Sequence, residues 1–165
     1  MQEKTYKALK WIIEILDKNN ISYKIGGGFA ANFYGSSREI NDIDISLSGK
    51  NFEIIIPEVK EYITIGPKHY LNEKWDCNTL SLNYFGQDID ITDIDTLKMT
   101  NLDKTKWIQV REIRQYDGIF KNIDDLTVSI MDPRDLIKYK KELGGEHQLI
   151  DIKAIERYIE KNTFP

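Results

Sequence analysis

The stretch IGGGFAANFYGSSREINDIDISL, Ile25–Leu47, changes its local rhythm twice. Ile21 to Ile25 reads as a short strand, and Gly26-Gly27-Gly28 breaks it just before Phe29-Ala30-Ala31-Asn32-Phe33-Tyr34, a short helix closed by Gly35. Asp42-Ile43-Asp44-Ile45-Ser46-Leu47 then alternates polar and apolar residues with period two, the pattern of a half-buried strand. Both aspartates therefore project from one face.

Upstream, Tyr6, Leu9, Ile13 and Leu16 recur at helical spacing, so residues about 4 to 18 read as an amphipathic helix ended at Asn19-Asn20. Downstream, residues about 51 to 62 read as a helix interrupted by Pro57. Leu80–Tyr84 and Asp88–Thr92 alternate around Phe85-Gly86-Gln87, which predicts a hairpin with a three-residue loop. Between 95 and 126 the signals conflict: Trp107, Ile108 and Val110 suggest a strand, and Tyr116, Ile119 and Phe120 a contribution to the core. Leu126–Ile130 reads as a strand, and Asp132-Pro133 sets an N-cap and a first-turn proline for a helix running to about Leu143, before Gly144-Gly145. Ile152, Ile155 and Ile159 give a final amphipathic helix.

The chain has 165 residues, 41% of them hydrophobic, enough for one domain with a real core. The expected layout is a single domain over 1–165, with a core to about residue 131 and C-terminal helices over about 132–161. A net charge of −4 argues against a broad nucleic-acid surface, whose affinity comes from Lys and Arg neutralising phosphates. Cys77 is the one cysteine, which leaves no intrachain disulfide and no cysteine zinc cluster. No apolar run is long enough to span a bilayer. The expectation is a cytoplasmic protein without membrane contact.

Two carboxylates two residues apart on a strand repel each other unless a cation occupies the gap. Hard oxygen ligands suit Mg²⁺ or Mn²⁺, and Mg²⁺ completes its shell with water and substrate phosphates, so the expected co-ligand is a nucleotide. Gly27-Gly28 opens a helix whose free N–H groups can hold an anion, and Arg38 could add charged donors to the same phosphates. Asp88 and Asp90 repeat the two-residue spacing on a strand able to join the same sheet. Asp90, flanked by Ile89 and Ile91, is preferred over Asp88, which adjoins the turn. In a two-metal arrangement such a third carboxylate shares one of two Mg²⁺ ions and acts as general base.

The series Ile25-Gly26-Gly27-Gly28, Tyr34-Gly35, Arg38, Asp42-Ile43-Asp44 and Ile89-Asp90-Ile91 resembles the DNA polymerase β-like nucleotidyltransferase superfamily in its minimal bacterial form. Ile40 stands where many members have Thr. The resemblance covers about residues 5 to 160. It implies an α/β (α+β) fold with a small mixed β-sheet flanked by helices. It also implies metal-dependent transfer of a nucleoside monophosphate from an NTP, ATP among them, to an acceptor hydroxyl, with release of pyrophosphate. On it, Asp42, Asp44 and Asp90 are the metal-binding and catalytic residues. Gly27, Gly28, Arg38 and Lys140 hold the nucleotide, with Lys140 placed there by the resemblance alone. Tyr139–Leu143 and the segment from His147 to Ile155 are similar to small drug-modifying enzymes, such as those acting on lincosamides, and to toxin and phage-defence transferases. A small-molecule acceptor such as an antibiotic is favoured over tRNA or protein.

Other readings are open. Gly26-x-Gly28-x-x-Ala31 also satisfies a loose dinucleotide fingerprint, which leaves the paired Asp42 and Asp44 unexplained. A catalytically silent nucleotide-binding partner would retain the glycine turn without needing three carboxylates. Lys138, Lys141, His69 and His147 read as solvated or structural residues, and Trp11, Trp75 and Trp107 as packing residues.

Overall fold

The computed structural model describes residues 1–162, so the last three residues of the span expected to form one domain lie outside the described part. Its elements are α1 (Glu3–Lys18), β1 (Tyr23–Ile25), α2 (Gly27–Phe33), β2 (Asp42–Leu47), α3 (Phe52–Val59), β3 (Ile63–Leu71), β4 (Trp75–Tyr84), β5 (Gln87–Asp93), β6 (Lys98–Thr100), β7 (Trp107–Gln109), α4 (Val110–Ile113), β8 (Ile119–Ile123), β9 (Leu126–Ile130), α5 (Pro133–Leu143) and α6 (Glu146–Lys161). Among the described residues the strands form one mixed sheet in the order β7-β6-β4-β5-β2-β1-β9-β8. β3 pairs with β4 on the edge opposite β6, since Asp76 faces both Leu71 and Lys98. No helix among these residues is long and apolar enough to cross a membrane.

The alternation in β2 and β5 sorts the two faces of the sheet. Ile43, Ile45, Ile89 and Ile91 join Leu80 and Leu82 in a core closed by Leu9, Ile12, Ile13 and Leu16 of α1. Each such side chain taken fully out of water contributes about 1.5–3 kcal/mol. The opposite face keeps the polar residues. β2 and β5 run parallel, with Asp42 opposite Asp88 and Asp44 opposite Asp90, and every slip by one residue would bury a carboxylate in the core.

α5 starts as its sequence requires: the Asp132 side chain accepts from the Arg134 N–H at 2.9 Å, Pro133 occupies the first turn, and the helix ends at Gly144 with φ 70°. Tyr34 donates to the Met131 carbonyl at 2.8 Å and ties the end of α2 to the β9–α5 junction.

Several expectations change. Tyr84 pairs with Gln87, so the β4–β5 loop has two residues, Phe85 and Gly86, both with positive φ, which matches the twist of the flanking strands. Gln87 belongs to the strand because its buried amide holds Thr5 and the Asn41 carbonyl. Phe120 is 75% exposed, since β8 is an edge strand and Phe120 lies on its outer face; it adds nothing to the core. α6 begins at Glu146, a turn and a half before the apolar spacing becomes visible. α3 is shorter than the predicted segment and includes Pro57 in its interior.

Candidate active site

The parallel register of β2 and β5 and the antiparallel register of β5 and β4 place Asp44, Asp90 and Ser81 in one row on the polar face. Ser81 Oγ donates to Asp90 at 2.5 Å and fixes that carboxylate. One ligand oxygen each from Asp42, Asp44 and Asp90 lies within 4.8 Å of the others. Asp88 is drawn the other way: it is exposed and accepts from the Asn83 amide at 2.7 Å. The structure thus brings Asp90, and not Asp88, to the pair on β2.

Burial and then the charge of Asp90 push Asp42 above the ordinary carboxylate range. Burial and the charges of Asp42 and Asp90 push Asp44 up to about 7, against the pull of Lys140 and Arg114. Among the described residues no Lys or Arg stands within 4.0 Å of any of the three. Three converging oxygen donors without a paired cation are the donor set that a hard divalent ion satisfies.

A pH dependence follows. The folded chain holds the Asp44 proton more tightly than the unfolded chain, whose aspartates titrate near pH ~4. In divalent-free buffer the melting temperature is therefore expected to fall as pH rises from about 4 to about 7. Mg²⁺ added at pH 8 should restore it, whereas melting curves unmoved by pH or Mg²⁺ would remove the case for repulsion at this site.

The glycine turn sits against the acids. The Gly26 N–H donates to the Asp44 carbonyl at 2.9 Å, and Gly27 has φ +58°. A Cβ on Gly27 would fall on the Asp44 carboxylate, whereas one on Gly28 would meet nothing within 4 Å. Gly27→Ala is expected to displace Asp44 and lower any activity of the site by about 10²-fold or more. Gly28→Ala should leave stability within roughly 0.5 kcal/mol, read by thermal melting. Equal tolerance of both changes would contradict the close approach seen at Gly27.

Arg38 and Lys140 meet at a residue that the sequence did not single out. Asp151 of α6 is fully buried and accepts from Ser36 at 2.6 Å, from Arg38 at 2.6 Å and from Lys140 at 2.8 Å. Lys140 is only 2% exposed and also donates to Gln148 at 2.9 Å. Two cations thus share this one carboxylate. Both line a cavity of about 260 Å³ together with Gly27, Gly28, Asp42 and Asp44.

A larger cavity of about 440 Å³ also borders Asp44, together with Asp90, Ser81, Lys68, Trp75, Arg114 and Tyr139. Trp75 and Tyr139 border both cavities. No periodicity marks the segment around Arg114, so the sequence carries no local sign of its place in the wall. Trp11 stacks on Tyr84 at 4.3 Å, Trp107 is 45% exposed, and His69 pairs with Asp76 at 2.6 Å on the outer hairpin.

No family model matches this chain, and no curated protein matches it by sequence. Solved structures do. A Thermotoga maritima protein provisionally described as a nucleotidyltransferase superposes with a TM-score of 0.70 at 14% identity, covering 98% of this chain and 97% of its own. The lincosamide antibiotic adenylyltransferase LnuA, solved with lincomycin, gives 0.59 at 14% identity, covering 92% and 96%. ANT(2'')-Ia, solved with adenylyl-2''-tobramycin, gives 0.57 at 14% identity, covering 94% and 90%. The chain has a nucleotidyltransferase-type fold, a mixed sheet flanked by helices.

Proposed function

We propose that this protein is a nucleotidyltransferase that moves a nucleoside monophosphate from an NTP to a hydroxyl of an acceptor, a small molecule being favoured over tRNA or protein. The observation that carries this reading is the meeting of Asp42, Asp44 and Asp90 without a paired cation, against the Gly27 turn, in a fold of this type. Asp42, Asp44 and Asp90 would hold Mg²⁺ ions, two in this reading, with Mn²⁺ as a substitute of similar chemistry. When bound, such ions neutralise phosphate charge and stabilise the attacking and leaving oxygens.

The remaining steps belong to the chain. Gly27 and Gly28 let the triphosphate approach the backbone, and Arg38 and Lys140 supply positive charge beside it. The acceptor oxygen forms a bond to the α-phosphorus as the bond to the bridging oxygen breaks and pyrophosphate leaves. Asp90, oriented by Ser81, takes the hydroxyl proton. The catalytic unit takes in the C-terminal helices as well as the core up to about residue 131, because Tyr139 and Lys140 come from α5.

The test is incubation with each α-labelled NTP and a total cell extract, with and without EDTA. Divalent-dependent movement of label into a small-molecule fraction is expected. Binding of Mg·NTP with neither label transfer nor pyrophosphate release, for all four nucleotides and with Mn²⁺ as well, would reject catalysis in favour of a silent nucleotide-binding partner.

A further inference from the structure

The two cavities beside the triad divide its members: Asp42 lines only the smaller, Asp90 only the larger, and Asp44 both. Gly27 likewise borders both cavities, so Gly28, Arg38 and Lys140 mark the nucleotide side; with the nucleotide held there, the acceptor belongs in the larger cavity, next to the carboxylate that takes its proton. Apart from Asp44 and Asp90, the charged residues lining that cavity are Lys68 and Arg114, both cations.

Arg114 is built into the wall. Its Nη1 donates to Ser46 Oγ at 2.6 Å, and its guanidinium lies 5.3 Å from the centre of the Tyr139 ring. Its Nε is buried and has no hydrogen-bond partner. Desolvation pulls its pKa down, opposed by Tyr139, Asp135 and Asp44 at longer range. Among the described residues no carboxylate lies within 4.0 Å of Arg114 or Lys68; Asp135 accepts from the Tyr116 N–H at 2.8 Å through Oδ2 and stands 3.6 Å from Lys138, while its Oδ1, like Arg114 Nε, is buried without a hydrogen-bond partner. Arg114 is half-buried, a guanidinium without a carboxylate within reach keeps donors unsatisfied, and its planar fork matches an oxyanion.

We propose that the larger cavity takes an acceptor bearing a carboxylate or phosphate besides its reacting hydroxyl, with Arg114 as the group that receives this anion and Lys68 of β3 assisting at the rim. This inference rests on the transferase reading above. It sets the acceptor apart from polyamines, whose ammonium groups would confront both cations.

Inorganic phosphate serves as the probe of the anion subsite and Mg·α,β-methylene-ATP as the probe of the nucleotide site, both by titration calorimetry on wild type, Arg114→Gln and Arg114→Lys. Phosphate added to analogue-saturated wild type is expected to bind. Arg114→Gln should weaken that binding by about tenfold and Arg114→Lys by less, with analogue affinity kept within about threefold. Melting curves verify that each variant folds, and Arg114→Lys, which keeps the charge, carries the comparison if Arg114→Gln does not. Phosphate that fails to bind wild type, or binds Arg114→Gln equally well, overturns the proposal. So does a loss of analogue affinity in place of phosphate affinity, which would assign Arg114 to the nucleotide. Failure of the analogue to bind wild type would count instead against the transferase reading, and the same phosphate series on the free protein would still report on Arg114.

Discussion

Asp44→Asn is expected to lower label transfer by about 10³-fold while raising the melting temperature of divalent-free protein at pH 8. The first effect is the loss of a ligand shared across the site, worth several kcal/mol of transition-state stabilisation, at roughly 1.4 kcal/mol per decade. The second has the opposite sign because Asp44 is held at about 7 by burial and by two neighbouring carboxylates. At pH 8 it is a repelled anion, and an amide of the same shape removes the repulsion. Asp90→Asn should reduce transfer comparably. Asp88→Asn, on an exposed side chain bound to Asn83, should change the rate by less than about threefold, which corresponds to well under 1 kcal/mol. Wild-type transfer by Asp44→Asn, or an Asp88 effect as large as that of Asp90, would remove the three-carboxylate site from the reaction.

The contrast between Asp88 and Asp90 marks how far the sequence carries. Period-two alternation places both on the face that Asp42 and Asp44 share, and flanking isoleucines favour Asp90 as the residue held on a buried strand. What local pattern leaves open is that β5 pairs with β2 in parallel, across 46 positions of chain, and that Asn83 and Ser81 on β4 sort the two aspartates into different partners. β3 escaped notice for a related reason. Its register shifts on both sides of Ile65, and most of the strand is exposed, so no alternation of burial is imprinted on its residues. Arg114 and Asp151 were invisible individually because their roles depend on partners from distant segments. For Asp151 there was one usable sign: it falls four residues before Ile155 and next to Ile152, an acid on the apolar stripe of α6. A carboxylate there needs a buried cation.

That requirement gives Asp151 a large effect on stability. Lys140 is almost wholly buried, Arg38 is partly so, and Asp151 is the carboxylate they share. Burial alone would push Asp151 up, but hydrogen bonds from Lys140 and Ser36 and the charges of Lys140 and Arg38 outweigh it and hold Asp151 below the ordinary carboxylate range. Its stabilisation is therefore present at neutral pH and is lost as pH falls below ~4 and on through the depressed value. Asp151→Ala leaves Lys140 buried without a counter-charge, a change that costs about 3–5 kcal/mol. At roughly 2–4 °C per kcal/mol for a chain of this size, the melting temperature should drop by about 10 °C. Pairing the change with its partner separates structure from chemistry. In Lys140→Met/Asp151→Leu the buried charges vanish together, so most of the lost stability should return. Mg·α,β-methylene-ATP affinity should stay below the wild-type level in the double variant, because the positive charge proposed to face the triphosphate has gone. Recovery of both would make Lys140 a purely structural cation, and recovery of neither would mean that Arg38, left without its carboxylate, dominates the corner.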